Sequence, residues 1–288
     1  MSKVILVTGA SSGFGLATVE LLARHGHQVF AGMRDLDGKN AVHMAALKQQ
    51  GIEPVEIDVT RPETVANGVE TVLAMAGKID VLVNNAGIAA AGVSEAFDAE
   101  QVKQLFDVNV VGVHRVTQAV LPSMRKQQNG LVINIGSILG RVTFPFFGLY
   151  GATKFAVEAM TESYRYELSQ QGVDVALIQP SAYPTNMYGS ALQPEHGAIA
   201  ESYGDTAAIP GAMFEHFMSV FESDSAPNPL DVAHAVARLV LTEKGQRDHR
   251  TVVGQAFGAD ALNRSAEPVQ KEVVNALGLI HLNQVKAD

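Results

Sequence analysis

The strongest constraint on how this chain can fold is a regular alternation of short, β-branched apolar runs with longer segments of helical length. Runs of strand size fall at about residues 3–8, 28–32, 53–57, 79–84, 130–136, 173–179 and 251–254. Helix-sized segments fill the gaps at about 13–25, 39–50, 62–76, 98–125, 150–171 and 229–242. A strand followed each time by a helix needs crossover connections, which make the strands parallel and lay helices on both sheet faces. The expected class is α/β, a doubly wound parallel sheet of about seven strands. Local punctuation agrees. Gly26, Gly51 and Gly77 stand where the first three helices should stop, as left-handed residues that close a helix C-terminus. Thr60, followed by Pro62 and Glu63, reads as the start of the third helix.

Two regions break the rhythm. Residues 182–228 contain no clean strand and are rich in aromatics and methionine, among them Tyr183, Met187, Tyr188, Phe217 and Phe221. A stretch of that length inside a compact domain is usually a lid or binding loop, or a small helical unit with its own apolar face. After residue 255 polar and apolar residues mix, with one helix expected near 267–277. No repeat, low-complexity tract or linker divides the chain. Residues 1–288 therefore read as one domain, with 182–228 as an insertion and about 256–288 as a C-terminal extension.

Composition narrows the chemistry. With no cysteine, disulfides, thiolate nucleophiles and sulfur-ligated metals are excluded. Nine histidines are scattered, none in a ligand spacing such as HExxH, so no metal site is expected. A formal net charge of −9 disfavours nucleic acid and anionic membranes as partners. Apolar runs such as Val4–Val7 and Leu131–Ile135 fall far short of the ~20 residues that span a bilayer. Met1–Ser2–Lys3 leads straight into the first strand without room for a signal peptide, so a cytoplasmic protein is expected.

The first strand runs into Gly9–Ala10–Ser11–Ser12–Gly13–Phe14–Gly15, which opens a helix. Glycines there let the backbone come close to a pyrophosphate, and the helix N-terminus offers unpaired N–H groups and positive dipole potential. The same residues also satisfy the G-x-S-x-G nucleophile elbow of α/β-hydrolases, centred on Ser11. That serine-hydrolase alternative needs an acid and then a histidine at later strand ends, and His234, His249 and His281 are poorly placed for it.

The spacing Thr8-Gly-x-x-x-Gly13-x-Gly15 resembles the short-chain dehydrogenases/reductases, and the resemblance continues in order along the chain. It runs through Asp58–Val59, Asn84–Asn85–Ala86–Gly87, Asn109, Ser137, Tyr150-x-x-x-Lys154 and Pro180…Thr185. Such a likeness implies a Rossmann-like sheet that binds a nicotinamide dinucleotide. Gly9, Ser11, Ser12, Gly13, Phe14 and Gly15 would line its phosphates, and Asp58 and Val59 would meet its adenine. Asn85, Ala86 and Gly87 would lie along the ribose, and the segment Pro180–Thr185, with Tyr183, would grip the carboxamide. Ser181 departs from the family, which often has glycine there. The second strand ends without a carboxylate, and Arg34 follows, whose guanidinium suits a phosphate. NADP(H) is thus the expected cofactor, with NAD(H) as the alternative if Asp35 reaches the ribose.

Tyr150 and Lys154 are one helical turn apart on one face. A cation about 5 Å from the phenol, at an effective dielectric near 20, would favour the phenolate by roughly 3 kcal/mol, or about two pKa units. Ser137, just past the fifth strand, is placed to donate to a carbonyl or alkoxide oxygen. By resemblance, Asn109 in the long helix 98–125 would hold a water linking Lys154 to solvent. The expected catalytic set is therefore Asn109, Ser137, Tyr150 and Lys154, with Tyr150 and Lys154 also touching cofactor. Ile138, Leu139, Phe144 and Phe147, with Met187 and Tyr188 from the insertion, should line a pocket for a medium-sized hydrophobic ketone, aldehyde or alcohol. The family pattern also implies a homodimer or homotetramer built on the helices near 98–125 and 150–171. A non-catalytic dinucleotide sensor on the same fold is the second functional class, distinguished by loss of the tyrosine or lysine, both of which are present here.

Overall fold

A computed structural model describes residues 2–286. Seven strands form one sheet: β1 (Val4–Thr8), β2 (Gln28–Met33), β3 (Glu53–Glu56), β4 (Val81–Asn84), β5 (Gly130–Ile135), β6 (Val173–Pro180) and β7 (Arg250–Val253). All pairings are parallel, in the order β3-β2-β1-β4-β5-β6-β7. This is the expected Rossmann-like fold. The order turns back between β1 and β4, which opens a crevice beyond their C-terminal ends, where ligands bind in such sheets.

The helices explain why central strands are apolar at every position. Alternate residues of β1 point to opposite faces. Ile5 and Val7 join Val29, Val83, Ile133 and Ile178 against α1 (Gly13–Arg24), α2 (Ala41–Gln49) and α9 (Leu230–Leu241). Val4 and Leu6 join Phe30, Leu82, Val132 and Val175 against α3 (Pro62–Ala76) and α5 (Gly112–Gln127). A strand covered on both faces has no solvent side, hence the unbroken Val/Ile/Leu runs. Gly26, Gly51 and Gly77 all carry positive φ at the helix ends. Among the described residues no helix is long and apolar enough to cross a membrane.

Three expectations need correction. The single helix at 98–125 is α4 (Ala99–Phe106), a π-helical turn (Asp107–Val111) and then α5. A π turn inserts one residue, which apolar periodicity over two flanking helices does not register. The third helix is capped by Arg61, without a side-chain cap. Thr60 instead donates its hydroxyl to Asp58 Oδ1 at 2.7 Å, and its N–H donates to the same oxygen. The C-terminal helix, α10 (Ala259–Ala276), starts eight residues earlier than expected and carries Pro268 in its interior. Its start is set by Gly258 with φ 88°, and Pro268 does not open it. The insertion holds α7 (Gly197–Glu201) and α8 (Ile209–Phe221), neither with a buried residue. Phe217 and Phe221 of α8 rest on Tyr188, and Phe217 on Phe147. A helix attached by one aromatic edge opens at low free-energy cost.

Because both faces of β4 are sealed, Leu82→Ala should leave a cavity that neighbours cannot fill. A loss of about 2–5 kcal/mol is expected in urea denaturation, with the m-value unchanged.

Candidate active site

The glycine turn is built by close backbone approach. Gly9 has φ 66° and Gly13 φ 54°. A Cβ on Gly15 would lie 2.3 Å from the Gly9 carbonyl oxygen and 2.5 Å from Asn85 Nδ2. Asn85 holds this arrangement by donating its amide to the carbonyls of Thr8 at 2.9 Å and Gly9 at 3.1 Å. Thr8 Oγ1 in turn accepts from the N–H groups of Asn85 and Ala86, both at 3.1 Å. A Cβ on Gly13 would meet the Thr185 side chain at 3.5 Å, so the segment after β6 faces the turn. This uncovered backbone at the head of α1 fits the diphosphate of a dinucleotide. Ser11 has no hydrogen bond to a histidine among the described residues. His234 is exposed on α9, and His249 lies just before β7, near Arg165 Nη1 (3.3 Å).

At the outer end of the crevice Arg34 is exposed, while its carbonyl accepts from Asn40 Nδ2 at 2.6 Å. Asp35 adopts φ 53° and turns its carboxylate inward to accept from the Lys39 N–H at 2.8 Å. Asp58 sits beside them. Burial works against its ionised form, but the hydrogen bonds from Thr60 and the charges of Arg34 and Arg61 win, and its carboxyl lies below the usual carboxylate range.

Ser137, Tyr150 and Lys154 meet at the C-terminal ends of β5 and β6, on one cavity, where α6 (Gly148–Ser169) begins. Ser137 Oγ accepts from the Leu139 N–H at 3.1 Å, which starts a short 3-10 turn (Ile138–Gly140). A Cβ on Gly140 would lie 2.9 Å from the Lys154 carbonyl oxygen, so only glycine lets this turn sit against α6. Lys154 is 6% exposed. Its ammonium donates to the Ile135 carbonyl at 3.0 Å and lies 5.5 Å from the centre of the Tyr150 ring. Asn109, in the π turn, accepts from the Ile88 N–H and donates to the Ile88 carbonyl, both at 2.9 Å. It also donates to Thr153 Oγ1 at 3.1 Å, which itself donates to the Tyr150 carbonyl at 2.7 Å. Both N–H bonds of the Asn109 amide are thereby engaged, so a water at its side chain could only donate to Oδ1.

The expected lowering of the Tyr150 pKa is overturned. Burial, then the neighbouring Tyr188, hold this phenol well above its ordinary range, and a hydrogen bond to Ser137 only partly offsets them. Burial likewise pushes Lys154 down to about 8. A gain of roughly 3 kcal/mol requires an ammonium facing the phenol oxygen with both groups solvated. Here the amine lies over the ring, 5.5 Å from its centre, and burial of the phenol outweighs its charge. At neutral pH the site therefore presents a neutral phenol with a cation beside it, a proton donor with its counter-charge already in place.

The cavity beyond these groups is apolar. All six expected pocket residues line it, namely Ile138, Leu139, Phe144, Phe147, Met187 and Tyr188. Phe217 and Phe257 line it too, and neither was expected. Phe217 was legible only as one aromatic among many. Phe257 comes from the C-terminal extension, edge-on to Phe144 at 5.3 Å. Tyr183 lines the same cavity. It is 1% exposed, packs edge-on against Phe14 at 5.5 Å and donates to Asp231 at 3.3 Å. Ser181, where the family often has glycine, is accommodated from outside. A Cβ on Gly254 would lie 2.3 Å from Ser181 Oγ, and that oxygen accepts from the Gln255 N–H at 3.2 Å.

The family model of the short chain dehydrogenases matches residues 3–196. The chain belongs to this family. A short-chain dehydrogenase of Streptomyces avermitilis is 32% identical and superposes with a TM-score of 0.76, covering 96% of each chain. Actinorhodin polyketide ketoreductase, in a variant solved with NADPH, is 27% identical with a TM-score of 0.72, covering 87% of this chain and 95% of its own. Retinol dehydrogenase 8 of Bos taurus is 31% identical over 257 residues, 86% of this chain and 81% of that one. The protein is thus an oxidoreductase family member acting on the CH–OH/C=O pair, with a nicotinamide dinucleotide as cofactor.

The burial of Lys154 has a linkage consequence. Its folded pKa, about 8, lies below the unfolded value near 10.4, so below pH 8 the folded state carries an unfavourable charge. That cost is relieved as pH rises from about 8 to 10.4. Lys154→Met should accordingly stabilise the protein at pH 7 by up to about 3 kcal/mol while abolishing turnover. Urea denaturation at pH 7 and pH 10 checks this, the gain shrinking at the higher pH.

Proposed function

We propose that this protein is an NADP(H)-dependent oxidoreductase that interconverts a medium-sized hydrophobic ketone or aldehyde and its alcohol, with Tyr150 as general acid–base. The observation that carries this reading is the convergence of Ser137, Tyr150 and Lys154 on one apolar cavity beside the glycine turn. When bound, the dinucleotide supplies or accepts the hydride. Gly9, Ser11, Ser12, Gly13, Phe14 and Gly15 would hold its phosphates, Asp58 and Val59 its adenine, and Asn85, Ala86 and Gly87 the ribose. Pro180 to Thr185 would meet the carboxamide.

In the direction of reduction, Ser137 hydrogen-bonds the substrate oxygen and fixes it beside the phenol. Tyr150 gives its proton to that oxygen as negative charge develops on it. The phenolate formed is stabilised by Lys154, whose ammonium lies 5.5 Å from the centre of the ring. Asn109 keeps the start of α6 in place through Thr153. In this apolar, water-poor cavity each of these interactions is stronger than in water. The cavity encloses about 90 Å³, below the ~300–1,000 Å³ of most small-molecule sites. Admission of a larger substrate falls to α8 and the loop before it. The retinol dehydrogenase likeness favours such a hydrophobic substrate.

For the cofactor phosphate, Arg34 is the supporting residue. It is exposed beside Asp58, while the carboxylate of Asp35 is tied to the Lys39 N–H and so is drawn away from a ribose. We read the chain as one dinucleotide-binding domain, assembled as a homodimer or homotetramer through the exposed faces of α5 and α6.

Two measurements test the reading. Tyr150→Phe should reduce kcat at least about a thousandfold while the affinity for NADPH, followed by its fluorescence, changes less than about threefold. Retained turnover would overturn the general acid. Arg34→Asp should lower the ratio of kcat/KM for NADPH over NADH by about a hundredfold or more, since an attractive phosphate contact becomes a repulsive one. A tenfold preference of the unaltered protein for NADH would refute the NADP(H) assignment.

A further inference from the structure

A buried charge costs free energy unless it is both paired and hydrogen-bonded. Outside the active site such charges gather in a groove of about 1030 Å³ between α6 and α10. It shares no lining residue with the cavity at Tyr150. Within it Arg141, Arg165 and Arg250 mix with Glu158 and Glu162. Arg250 bridges both acids, donating from Nε to Glu158 at 3.0 Å and from Nη2 to Glu162 at 2.6 Å. Arg165 donates to Glu162 at 2.7 Å, and its guanidinium lies over the Tyr166 ring, 4.3 Å from the centre. Three cations thus share two carboxylates. Arg247 and Arg264, also on the groove, are taken by Asp174 and Asp260.

Arg141 is the cation left over. Its side chain is only 20% exposed, yet its guanidinium makes no hydrogen bond among the described residues. Its Nε faces Glu158 Oε2 at 3.4 Å but is buried without a hydrogen-bond partner. Glu158 is already engaged, accepting from Arg250 and from Gln179. Arg165, 9% exposed, likewise keeps its Nε buried without a partner. The remaining acids on the groove, Asp248 and Glu267, are exposed at its rim, where solvent and salt screen them. The rest of the lining includes an apolar band: Phe155 and Ala159 of α6, Val252 of β7, and Ala266 and Val269 of α10. Phe155 and Val269 are exposed large side chains.

We propose that this groove is a second ligand site, which binds an apolar carboxylate such as a medium-chain fatty acid anion, with its head group on Arg141 and its chain along Phe155 and Val269. A guanidinium meets a carboxylate through two parallel, charge-assisted hydrogen bonds. One monoanion balances three cations against two acids. The apolar band adds the burial of an alkyl chain, which a small inorganic anion cannot use. The site is independent of the reaction assigned to Tyr150.

Isothermal titration calorimetry at pH 7 with octanoate, 1-octanol and acetate tests both halves of the site. Octanoate should bind the unaltered protein at least about tenfold more tightly than 1-octanol, the effect of a charge-assisted hydrogen bond. It should also bind at least about tenfold more tightly than acetate, which lacks the chain. Arg141→Gln should weaken octanoate at least about tenfold and leave 1-octanol unchanged. Val269→Asp changes an exposed side chain, so the fold survives it, and its carboxylate should repel octanoate and weaken it at least about threefold. This second variant carries the test even where Arg141→Gln lowers stability. Octanoate binding no tighter than 1-octanol or acetate, or binding that neither variant weakens, would overturn the proposal. The latter result would place the fatty acid in another cavity, the one at Tyr150 included.

Discussion

Lys154 places a protonatable amine where water barely reaches it, with one hydrogen bond, to the Ile135 carbonyl at 3.0 Å, and a phenol ring 5.5 Å away. Much of the surrounding architecture follows from holding that group in place. Gly140 lets the turn after β5 sit directly against the backbone of α6. The π turn aims Asn109 at Ile88 and Thr153, and Thr153 fixes the carbonyl of Tyr150. Beneath, Asn84 donates to Thr117 and Asn134, each at 2.9 Å, and Asn134 donates to Thr161 at 2.8 Å. This buried ladder links β4 and β5 to both flanking helices. Asn84 Oδ1 is left without a partner, while the bonds that are made specify one arrangement of strands and helices.

From this fixed centre rigidity falls away in one direction. On the cofactor side the glycine turn is locked by Asn85 and Thr8 through backbone contacts that admit no side chain at Gly15. On the substrate side the wall comes from Phe144 and Phe147, from the insertion, and from Phe257 of the C-terminal extension. Neither α7 nor α8 has a buried residue. On the proposed reading, a cofactor held by backbone geometry and a substrate held by loosely attached aromatic segments let substrates change without disturbing the chemistry.

All seven strands were legible to within two residues, because strands covered on both faces leave continuous Val/Ile/Leu runs. The residues now joined at Ser137, Tyr150 and Lys154 were legible as well, through a run of motifs in order that resembles the family, with Tyr150 and Lys154 one helical turn apart. What sequence did not reveal depends on tertiary placement. The π turn alters no apolar period. Thr60 was read as a helix cap because its type suits one, yet a nearer acceptor, Asp58, takes its hydroxyl. The tyrosine–lysine electrostatics went wrong for a related reason: spacing gives separation, but desolvation depends on what closes over the pair.

The most direct test of hydride chemistry at this site is transfer of an isotopic label. NADPH deuterated at the transferable position of the nicotinamide, incubated with a medium-sized hydrophobic ketone, should yield an alcohol carrying one deuterium on the carbinol carbon, detected by mass spectrometry, and Tyr150→Phe should abolish its formation. Alcohol formed without the label, or labelled alcohol formed equally well without the Tyr150 hydroxyl, would contradict the account.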